Sequence, residues 1–549
     1  GAWSAGAGVT MEGAVERSSH GVYIVMLAQE PVIAYTGDMP GYKATKPARG
    51  KKLNPKSAHV RKYDQFLARS QAKVMKAAGL NRSSVVHEYR IALNGFAARM
   101  SHEQATAMLR TPGVARVVPD ELLQLTTDNS PDFLELTAPG GAYEKYLTGE
   151  GVVVGVIDTG VWPEHPSFAD DGTYAAPPIT LEDTSSNPSC EFGNTAHNSS
   201  DAPFTCNNKL IGARQMMSTY RAIIGAEPTE FDSARDDYGH GSHTASTAAG
   251  NAGVSASIFG IPRGVVSGIA HRAHVVAYKA CGGLGCFTSD TTAAIDQATF
   301  DGVDVINYSI GGGASLGGAD DIAFLFAADA GVHSATSAGN SGPGAFTVGG
   351  PASTPWITAV GSSTQDRTFQ GSASSSDGWE FFGASVTAGT AELPLVDAAD
   401  AGDELCFPGS LSAAVVTGKI VLCKRGAIAR VDKSRAVMMA GGVGTILYNV
   451  IDAQTTNTDN HWTPAVHINN TDGLVIKAYI ASAGASAVAQ INGGEFTEID
   501  APDMAASSSR GPNVVAEDII KPDVTAPGVN ILAAHTPMPN AGAAGGPPG

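Results

Sequence analysis

A buried β-strand that ends in a carboxylate sets the expected fold class of this chain. Residues 151–157 read Gly-Val-Val-Val-Gly-Val-Ile, and Asp158 follows directly. An unbroken apolar run without alternating polar positions is typical of a parallel strand that is covered on both faces. Parallel α/β sheets carry their functional side chains at the carboxyl ends of the strands. The pattern therefore predicts a parallel-sheet protein in which Asp158 is a candidate site residue.

A histidine between two glycines is the second candidate. His240 lies between Gly239 and Gly241, and the small residues from Thr244 to Gly250 predict a tightly packed, buried helix behind it. An imidazole and a carboxylate become a mechanism only with a third partner, which is a nucleophile or a metal ion. On these residues alone, a structural histidine remains the alternative interpretation.

A third motif, around Asn340, completes a pattern that resembles a known family. Asp158 stands in Val-Ile-Asp-Thr-Gly-Val, His240 in Gly-His-Gly-Ser-His-Thr-Ala-Ser, and Asn340 in Thr-Ser-Ala-Gly-Asn-Ser-Gly. These motifs, in this order, resemble the active-site motifs of the subtilisin-like serine proteases. The resemblance implies that His240 is the general base, that Asp158 orients its ring, and that Asn340 donates its amide to the oxyanion.

The nucleophilic serine of that family has no counterpart in the printed sequence. Residues 521–532 resemble the segment that leads to it, but the Gly-Thr-Ser-Met stretch that follows in relatives does not occur, and Ser242 and Ser341 do not replace it. We therefore expect a serine endopeptidase whose serine lies beyond this chain, with a catalytically inactive interaction protein as the alternative. A metal-dependent hydrolase is a third hypothesis, but Asp158 and His240 lack a third ligand at motif spacing.

The stretch Ile306–Gly312 resembles the substrate-binding edge of the same family. An extended peptide adds to such an edge through main-chain hydrogen bonds, which confer affinity with little sequence preference. By resemblance, Ser309, Ile310 and Gly311 are the predicted substrate-binding residues, and protein or peptide chains are the predicted substrates. A buried strand that ends in a glycine turn is the alternative.

Apolar periodicity at the start of the chain predicts a small α+β domain. Its elements are a strand from Val22, an amphipathic helix within 57–79, strands at 85–90 and 95–100, a helix capped by Ser101 and Gln104, and a last strand at 114–118. The order βαββαβ is that of a ferredoxin-like unit, which by itself fits a regulatory or a nucleic-acid-binding module.

Two segments of this domain, residues 94–98 and 117–120, resemble the inhibitory prodomain of subtilases. In that family the prodomain tail runs through the substrate cleft as a product, which implies that the chain carries its own intramolecular inhibitor. Relatives begin their mature chain at a Thr-Thr, which predicts processing between Leu125 and Thr126. The stretch 43–82 holds twelve Lys or Arg and one acid, which favours electrostatic docking on an acidic catalytic domain, with a solvated basic helix as the alternative.

Pattern and resemblance together predict an α/β fold with a doubly wound parallel sheet, which a β-rich protease-associated insertion interrupts. Residues 406–410, 418–426 and 440–449 resemble that insertion, which in relatives affects substrate access or self-association. Residues 206–214 and 278–281 resemble plant-type, cucumisin-like subtilases. The predicted order is an irregular leader (1–21), the inhibitory prodomain (22–125), the first part of the catalytic domain (126–383), the protease-associated insertion (384–495), and the catalytic continuation, truncated before the nucleophile (496–549).

The six cysteines fall in three close pairs, the first in a loop-rich insertion between Asp158 and His240. None has a Cys-x-x-Cys or Cys/His zinc spacing, so disulfides in an oxidising compartment are favoured over a metal site, and free thiols remain the alternative. Together with the resemblance, this predicts a secreted protein. The predicted pairs are Cys190 with Cys206, Cys281 with Cys286, and Cys406 with Cys423.

Charge and hydropathy exclude several classes of partner. The net charge of -18 argues against nucleic acid and anionic membranes as partners. The sequence contains no run of eighteen apolar residues, so it predicts no membrane span. His461, His467 and the pair Asp459 and Asn460 could be metal ligands, but the polarity of a loop explains them more simply. We expect no cofactor and no metal site, and calcium is left open because no loop matches a recognisable calcium pattern.

Overall fold

The computed structural model describes residues 15, 18, 21–48, 53–119, 122–125, 131, 133–258 and 261–538. Thr126 of the predicted processing site lies outside the described residues, as do most of the predicted leader and everything after Met538. In the described part of the chain, no helix combines the length and the apolar character that crossing a membrane requires.

The N-terminal domain is an antiparallel sheet packed against helices. Its elements are β1 (Val22–Leu27), α1 (Ala58–Ala77), β2 (Val85–Tyr89), β3 (Gly95–Arg99), α2 (His102–Leu109) and β4 (Val114–Pro119). The strand order is β2-β3-β1-β4, so the predicted βαββαβ unit is confirmed. Ser101 and Gln104 form the predicted capping box at the start of α2. A further strand, β5 (Leu122–Leu125), follows and pairs outside this sheet.

The next part of the chain contains both strands and helices. They are β6 (Val153–Asp158), β7 (Leu210–Gln215), α3 (Ser218–Ile223), α4 (His240–Ala249), β8 (Val254–Ile258), β9 (Ile261–Val266), β10 (His274–Lys279), β11 (Cys281–Gly282), β12 (Gly285–Phe287), α5 (Thr288–Asp301), β13 (Val305–Tyr308), β14 (Ile310–Gly311), α6 (Ala319–Asp329), β15 (His333–Ser337) and β16 (Thr358–Ser363). Short 3-10 helices cover Arg82–Ser84, Tyr143–Lys145, Pro166–Phe168 and Gly484–Ser486.

A closed barrel follows β16 and contains further strands and helices. They are β17 (Arg367–Ser375), β18 (Trp379–Ala384), β19 (Leu393–Asp397), α7 (Ala398–Ala401), α8 (Ala413–Val416), β20 (Ile420–Lys424), α9 (Arg430–Met439), β21 (Gly444–Tyr448), β22 (Ala465–Ile468), α10 (Asn470–Ala483) and β23 (Val488–Glu498). The barrel strands cover more of the sequence than the insertion predicted at 384–495. Strand β17, which precedes that range, pairs with both β18 and β23 and thereby closes the barrel.

The large sheet is completed by β24 (Val524–Pro527), which returns from the barrel. Its order is β24-β16-β15-β13-β6-β10-β7, and every neighbouring pair is parallel. Helices α5 and α6 pack on one face and α4 on the other, so all six residues of β6 are buried. This arrangement confirms the predicted doubly wound parallel sheet.

Strand β7 lies within the segment that the sequence predicts to be loop-rich. Its position depends on Arg214, whose guanidinium binds both carboxylate oxygens of Asp301 at 2.9 Å, with both side chains fully buried. A charged residue interrupts the apolar pattern by which a short buried strand is predicted. The sequence around Arg214 does not show that Asp301 neutralises its charge. The three disulfides join Cys190 to Cys206, Cys281 to Cys286 and Cys406 to Cys423, as the close spacing predicts.

Candidate active site

Asp158 and His240 meet at the carboxyl edge of the large sheet. Asp158 is the last residue of β6, and His240 is the first residue of α4. The ring Nδ1 lies 2.8 Å from Oδ1 and 3.0 Å from Oδ2 of the carboxylate. The carboxylate is 1% exposed and the imidazole 13% exposed, so the pair is nearly closed to water on the aspartate side. Nε2 of His240 is buried and has no hydrogen-bond partner within the described residues, so this nitrogen can accept a proton.

The Asp158 carboxylate has further donors that hold it in place. The backbone N–H of Thr159 donates to Oδ1 at 2.7 Å, and the hydroxyl of Thr244, one turn into α4, donates to Oδ2 at 3.1 Å. Both donors fix the orientation of the carboxylate. The carboxylate therefore holds His240 in the tautomer that carries its proton on Nδ1.

The glycines on either side of His240 are required by close contacts. Gly239 has φ +101°, and a Cβ at this position would lie 2.2 Å from Nε2 of His535. A Cβ on Gly241 would lie 2.2 Å from the carbonyl oxygen of Gly160. The absence of a side chain at Gly241 therefore lets α4 lie against the chain that follows β6.

Asp236 ties the end of β6 to the start of α4. Its fully buried carboxylate accepts a hydrogen bond from the Thr159 hydroxyl at 2.9 Å and from the hydroxyl of Ser242 at 2.6 Å. It also accepts three backbone N–H groups at 2.9 Å each, those of Tyr238, Gly239 and Ser242. Because Thr159 adjoins Asp158 and the amides surround His240, one carboxylate sets the relative position of both candidate residues.

The residues on either side of Asp236 are buried charges with partners on other elements. Arg235 binds Asp201 at 2.9 Å and Glu164 through both carboxylate oxygens, and its guanidinium lies 4.6 Å from the ring centre of Trp162. Asp237 binds Lys279, the last residue of β10, at 3.1 Å, and burial raises the pKa of this carboxyl. Sequence analysis overlooked these residues, although three consecutive charges directly before Tyr-Gly-His are a signal that could have identified them.

Asn340 lies at the same edge of the sheet, in the loop that follows β15. Strand β13 separates β15 from β6, so at about 4.8 Å per strand the ends of β15 and β6 are about 10 Å apart. Asn340, Asn307 and Ser309 line a cleft of about 320 Å³ that also reaches Ser362 and Gly528. The three motif residues Asp158, His240 and Asn340 therefore share one edge of the sheet.

The predicted substrate edge holds a strand of the chain itself. Strand β5 pairs antiparallel with β12, with Leu123 opposite Cys286 and Leu122 opposite Phe287. On its other side it pairs antiparallel with β14, with Leu125 opposite Ile310 and Gln124 opposite Gly311. The segment before the predicted processing site thus lies between two edges, as an extended peptide would. The disulfide Cys281–Cys286 closes the β11–β12 hairpin that forms one of these edges.

The N-terminal domain rests on α5, at one end of the substrate edge. The Asp296 carboxylate of α5 accepts the backbone N–H groups of Ile91, Ala92 and Leu93 at 2.5 to 3.3 Å, and burial raises its pKa to about 6. Nε2 of His87 lies 2.6 Å from Oδ1 of Asp290 on the same helix. From the basic stretch, Lys46 pairs with Asp329 at 2.7 Å. Docking therefore rests on partly buried hydrogen bonds together with this ion pair.

The loop-polarity interpretation is wrong for His461 and His467, which are buried in the barrel, whereas Asp459 lies in a loop with its side chain 20% exposed. Burial opposes ionisation of Asp459, yet Arg430, which binds both of its oxygens, holds its pKa well below the ordinary value. Burial lowers the pKa of His461 to about 4 and that of His467 to about 3. Within the described ranges, no group of three or more His, Cys, Asp or Glu side chains is arranged to hold a metal ion.

Comparisons with known proteins agree with this geometry. A family model described as "Subtilase family" matches residues 149–545, and one described as "Peptidase inhibitor I9" matches residues 22–126. Subtilisin-like protease SBT1.4 of Arabidopsis thaliana is 42% identical over 475 residues, which are 83% of this chain and 59% of that protein. Subtilisin-like protease SBT1.3 of the same plant is 38% identical over 502 residues, which are 88% of this chain and 63% of that protein.

The chain spans about three fifths of the length of these curated relatives. Its cucumisin-like, plant-type character is in keeping with relatives that come from Arabidopsis thaliana. The subtilase model covers well over half of the chain, and the I9 model covers the domain before it. The chain therefore belongs to the subtilase family and carries an I9 inhibitor prodomain in front of its parallel-sheet domain.

Proposed function

We propose that the complete protein is a secreted serine endopeptidase, made as a proform, whose serine is supplied by residues outside these 549. The observation that carries the proposal is the placement of β5 between β12 and β14. Strand β14 follows β13, which pairs with β6, and β6 ends at Asp158, the partner of His240. Protein or peptide chains are the proposed substrates, and the reaction requires no cofactor.

In the proposed reaction, His240 is the general base. Nε2 takes the proton of the serine hydroxyl while the oxygen attacks the scissile carbonyl, and it later gives that proton to the leaving amine. Asp158, which accepts from Nδ1, stabilises the imidazolium that forms between these steps. The side-chain amide of Asn340 is the proposed donor to the oxyanion of the tetrahedral intermediate.

The substrate backbone is proposed to bind as β5 does. The register places Leu125 opposite Ile310, so Ser309, Ile310 and Gly311 are the proposed edge for the residues before the cut bond. The N-terminal domain with its tail is the proposed intramolecular inhibitor, because it fills this edge before processing. Self-association through the barrel is a further proposal, which sedimentation of the protein at two concentrations would test.

Labelling with a fluorophosphonate serine probe tests the proposed reaction. The natural secreted preparation is labelled and the modified peptide is mapped, and we expect a labelled serine in a peptide that is absent from these 549 residues. His240→Ala should abolish labelling, whereas His197→Ala, on the surface of the same domain, should not. A preparation that takes no label and has the intact mass of this sequence alone would instead favour an interaction protein without catalysis.

Sequencing the amino terminus of the mature protein tests the processing site. We expect Thr126, because the segment that ends at Leu125 occupies the proposed substrate edge. A mature chain that begins elsewhere would remove Leu125 and Thr126 from the proposal without affecting the triad.

A further inference from the structure

A loop of the barrel holds the chain segment that follows β24. The backbone N–H and the hydroxyl of Thr458 both donate to Oδ1 of Asn530, at 3.2 and 2.7 Å. Nδ2 of Asn530 donates to the hydroxyl of Thr368 in β17, at 3.0 Å. A single side chain therefore joins the segment after β24 to two separate parts of the barrel.

The backbone turns at the same residue. Asn530 has φ +58°, in the left-handed region that asparagine tolerates better than most residues. The buried Gln365 donates to the carbonyl oxygens of Val529 and Asn530, at 3.2 and 3.3 Å. The direction in which the chain leaves β24 is thus set by side-chain contacts at Asn530.

The residues after Asn530 lie against the helix that begins with His240. Nε2 of His243 is 3.4 Å from the carbonyl oxygen of Ile531, and the backbone N–H of Ala534 donates to the Ser246 hydroxyl at 2.9 Å. Burial, with His240 and His535 nearby, lowers the pKa of His243 to about 3. His243 and Ser246 both belong to α4, so segment 530–534 is a direct support of this helix.

The barrel loop is itself anchored by side chains of the barrel. The backbone N–H of Asn457 donates to Nδ1 of His467 at 2.9 Å, and Arg425 donates to the carbonyl oxygen of Thr455 at 2.8 Å. Arg430 binds Asp459 through both carboxylate oxygens. Residues 455–460 are therefore held in one conformation from the barrel side, and this conformation is the one that receives Asn530.

We propose that the barrel loop 455–460 is a positioning element for the His240 helix. The loop forms hydrogen bonds with Asn530, and the segment after Asn530 forms hydrogen bonds with α4. The barrel therefore supports the helix that carries His240. An effect of this contact on catalysis rests on the proposed function. The effect of the loop on the stability of α4 does not depend on it.

Hydrogen exchange of the full chain, followed by mass spectrometry, tests the coupling in two variants. Thr458→Val removes the hydroxyl, and Asn530→Gly removes the whole side chain while glycine tolerates the positive φ. We expect peptides from residues 240–249 to exchange about fivefold to tenfold faster in each variant, the factor that corresponds to about one lost hydrogen bond. The double variant should exchange no faster than Asn530→Gly alone, because both changes remove the same contact.

A matched control separates the contact from a general effect on the barrel. The hydroxyl of Thr471 donates to Asp452 at 2.6 Å on the exposed side of the same barrel, so Thr471→Val should leave exchange at 240–249 unchanged. Unchanged exchange of α4 in both test variants would overturn the proposal. Equal acceleration in all peptides would also overturn it, because that result indicates global destabilisation.

Turnover by the complete protein adds a second readout. We expect Thr458→Val to lower kcat about fivefold with KM unchanged, because α4 carries the base while β12 and β14 bind the peptide. Faster exchange without a change in kcat would keep the coupling and remove its catalytic role. Absence of all turnover in the unmodified protein would count against the proposed function alone.

Discussion

Two histidine–carboxylate groups in this molecule illustrate how similar residues take different roles. At the sheet edge, Asp158 binds His240 and leaves Nε2 of the ring without a partner within the described residues. In the barrel, Asp459 is bound by Arg430, while His467 uses both ring nitrogens, accepting from Asn457 and contacting Asn449 at 2.8 Å. The difference lies in the partner of the carboxylate: Asp158 binds the ring of His240 itself, whereas Asp459 binds the guanidinium of Arg430.

The largest expected difference between the two groups is in reaction rate. Asp158→Asn in the complete protein should lower kcat about 10⁴-fold, because an amide no longer holds the required tautomer of His240. Steady-state kinetics measure this, and unfolding by urea checks that the variant is folded. A loss of less than about tenfold would show that Asp158 is a structural carboxylate like Asp459.

The next effect is on stability, and it belongs to the barrel. Arg430→Met leaves the partly buried Asp459 carboxylate without its partner, which should lower the free energy of unfolding by about 3 kcal/mol. The exposed pair Lys424–Glu404 is the control, since Glu404→Gln should cost less than about 1 kcal/mol. Equal effects of the two variants in urea unfolding would contradict the distinction between the partly buried Asp459 and the exposed Glu404.

The third effect is a dependence of stability on pH. His461 and His467 have folded-state pKa values of about 4 and about 3, below the ordinary 6.5, so they are neutral in the folded protein. The unfolded chain takes up their protons first as the pH falls below about 6.5, so the free energy of unfolding decreases between about pH 6.5 and 4. For His461 alone, the loss is on the order of 3 kcal/mol.

His461→Gln isolates this contribution. Asp459, Arg430 and, for His467, Arg425 are the charged groups that face the two rings. Urea unfolding at pH 7, 5.5 and 4 should therefore show a flatter dependence on pH in the variant than in the parent chain. Parallel curves for the two proteins would show that His461 does not titrate on unfolding.

The smallest effects come from a matched pair of hydroxyl groups. Thr244→Val removes the donor to Asp158 and should lower kcat/KM about fivefold to tenfold with little effect on stability. Ser434→Ala removes the hydroxyl that contacts Nδ1 of His461 at 3.0 Å and should cost about 1 to 2 kcal/mol of stability. Kinetics and urea unfolding on both variants would show whether the two hydroxyls differ in this way.

Much of the fold follows from local patterns. The apolar run of β6, the amphipathic helix α1 and the capping box at Ser101 were predicted because each depends on neighbours in the sequence. Strand β7 and the true extent of the barrel were not predicted, because they depend on Arg214 with Asp301 and on β17 with β23, which are distant in the sequence.

The sequence by itself determined which residues are candidates for the site and in which order they occur. Only the tertiary structure decided that Asp236 and the charges beside it position His240, that β5 fills the substrate edge, and that the histidines of the barrel are buried. The physical reason is that the periodicity of strands and helices depends on residues that are close together in the sequence. The partner of a buried charge or an edge strand, in contrast, is chosen by packing between distant parts of the chain.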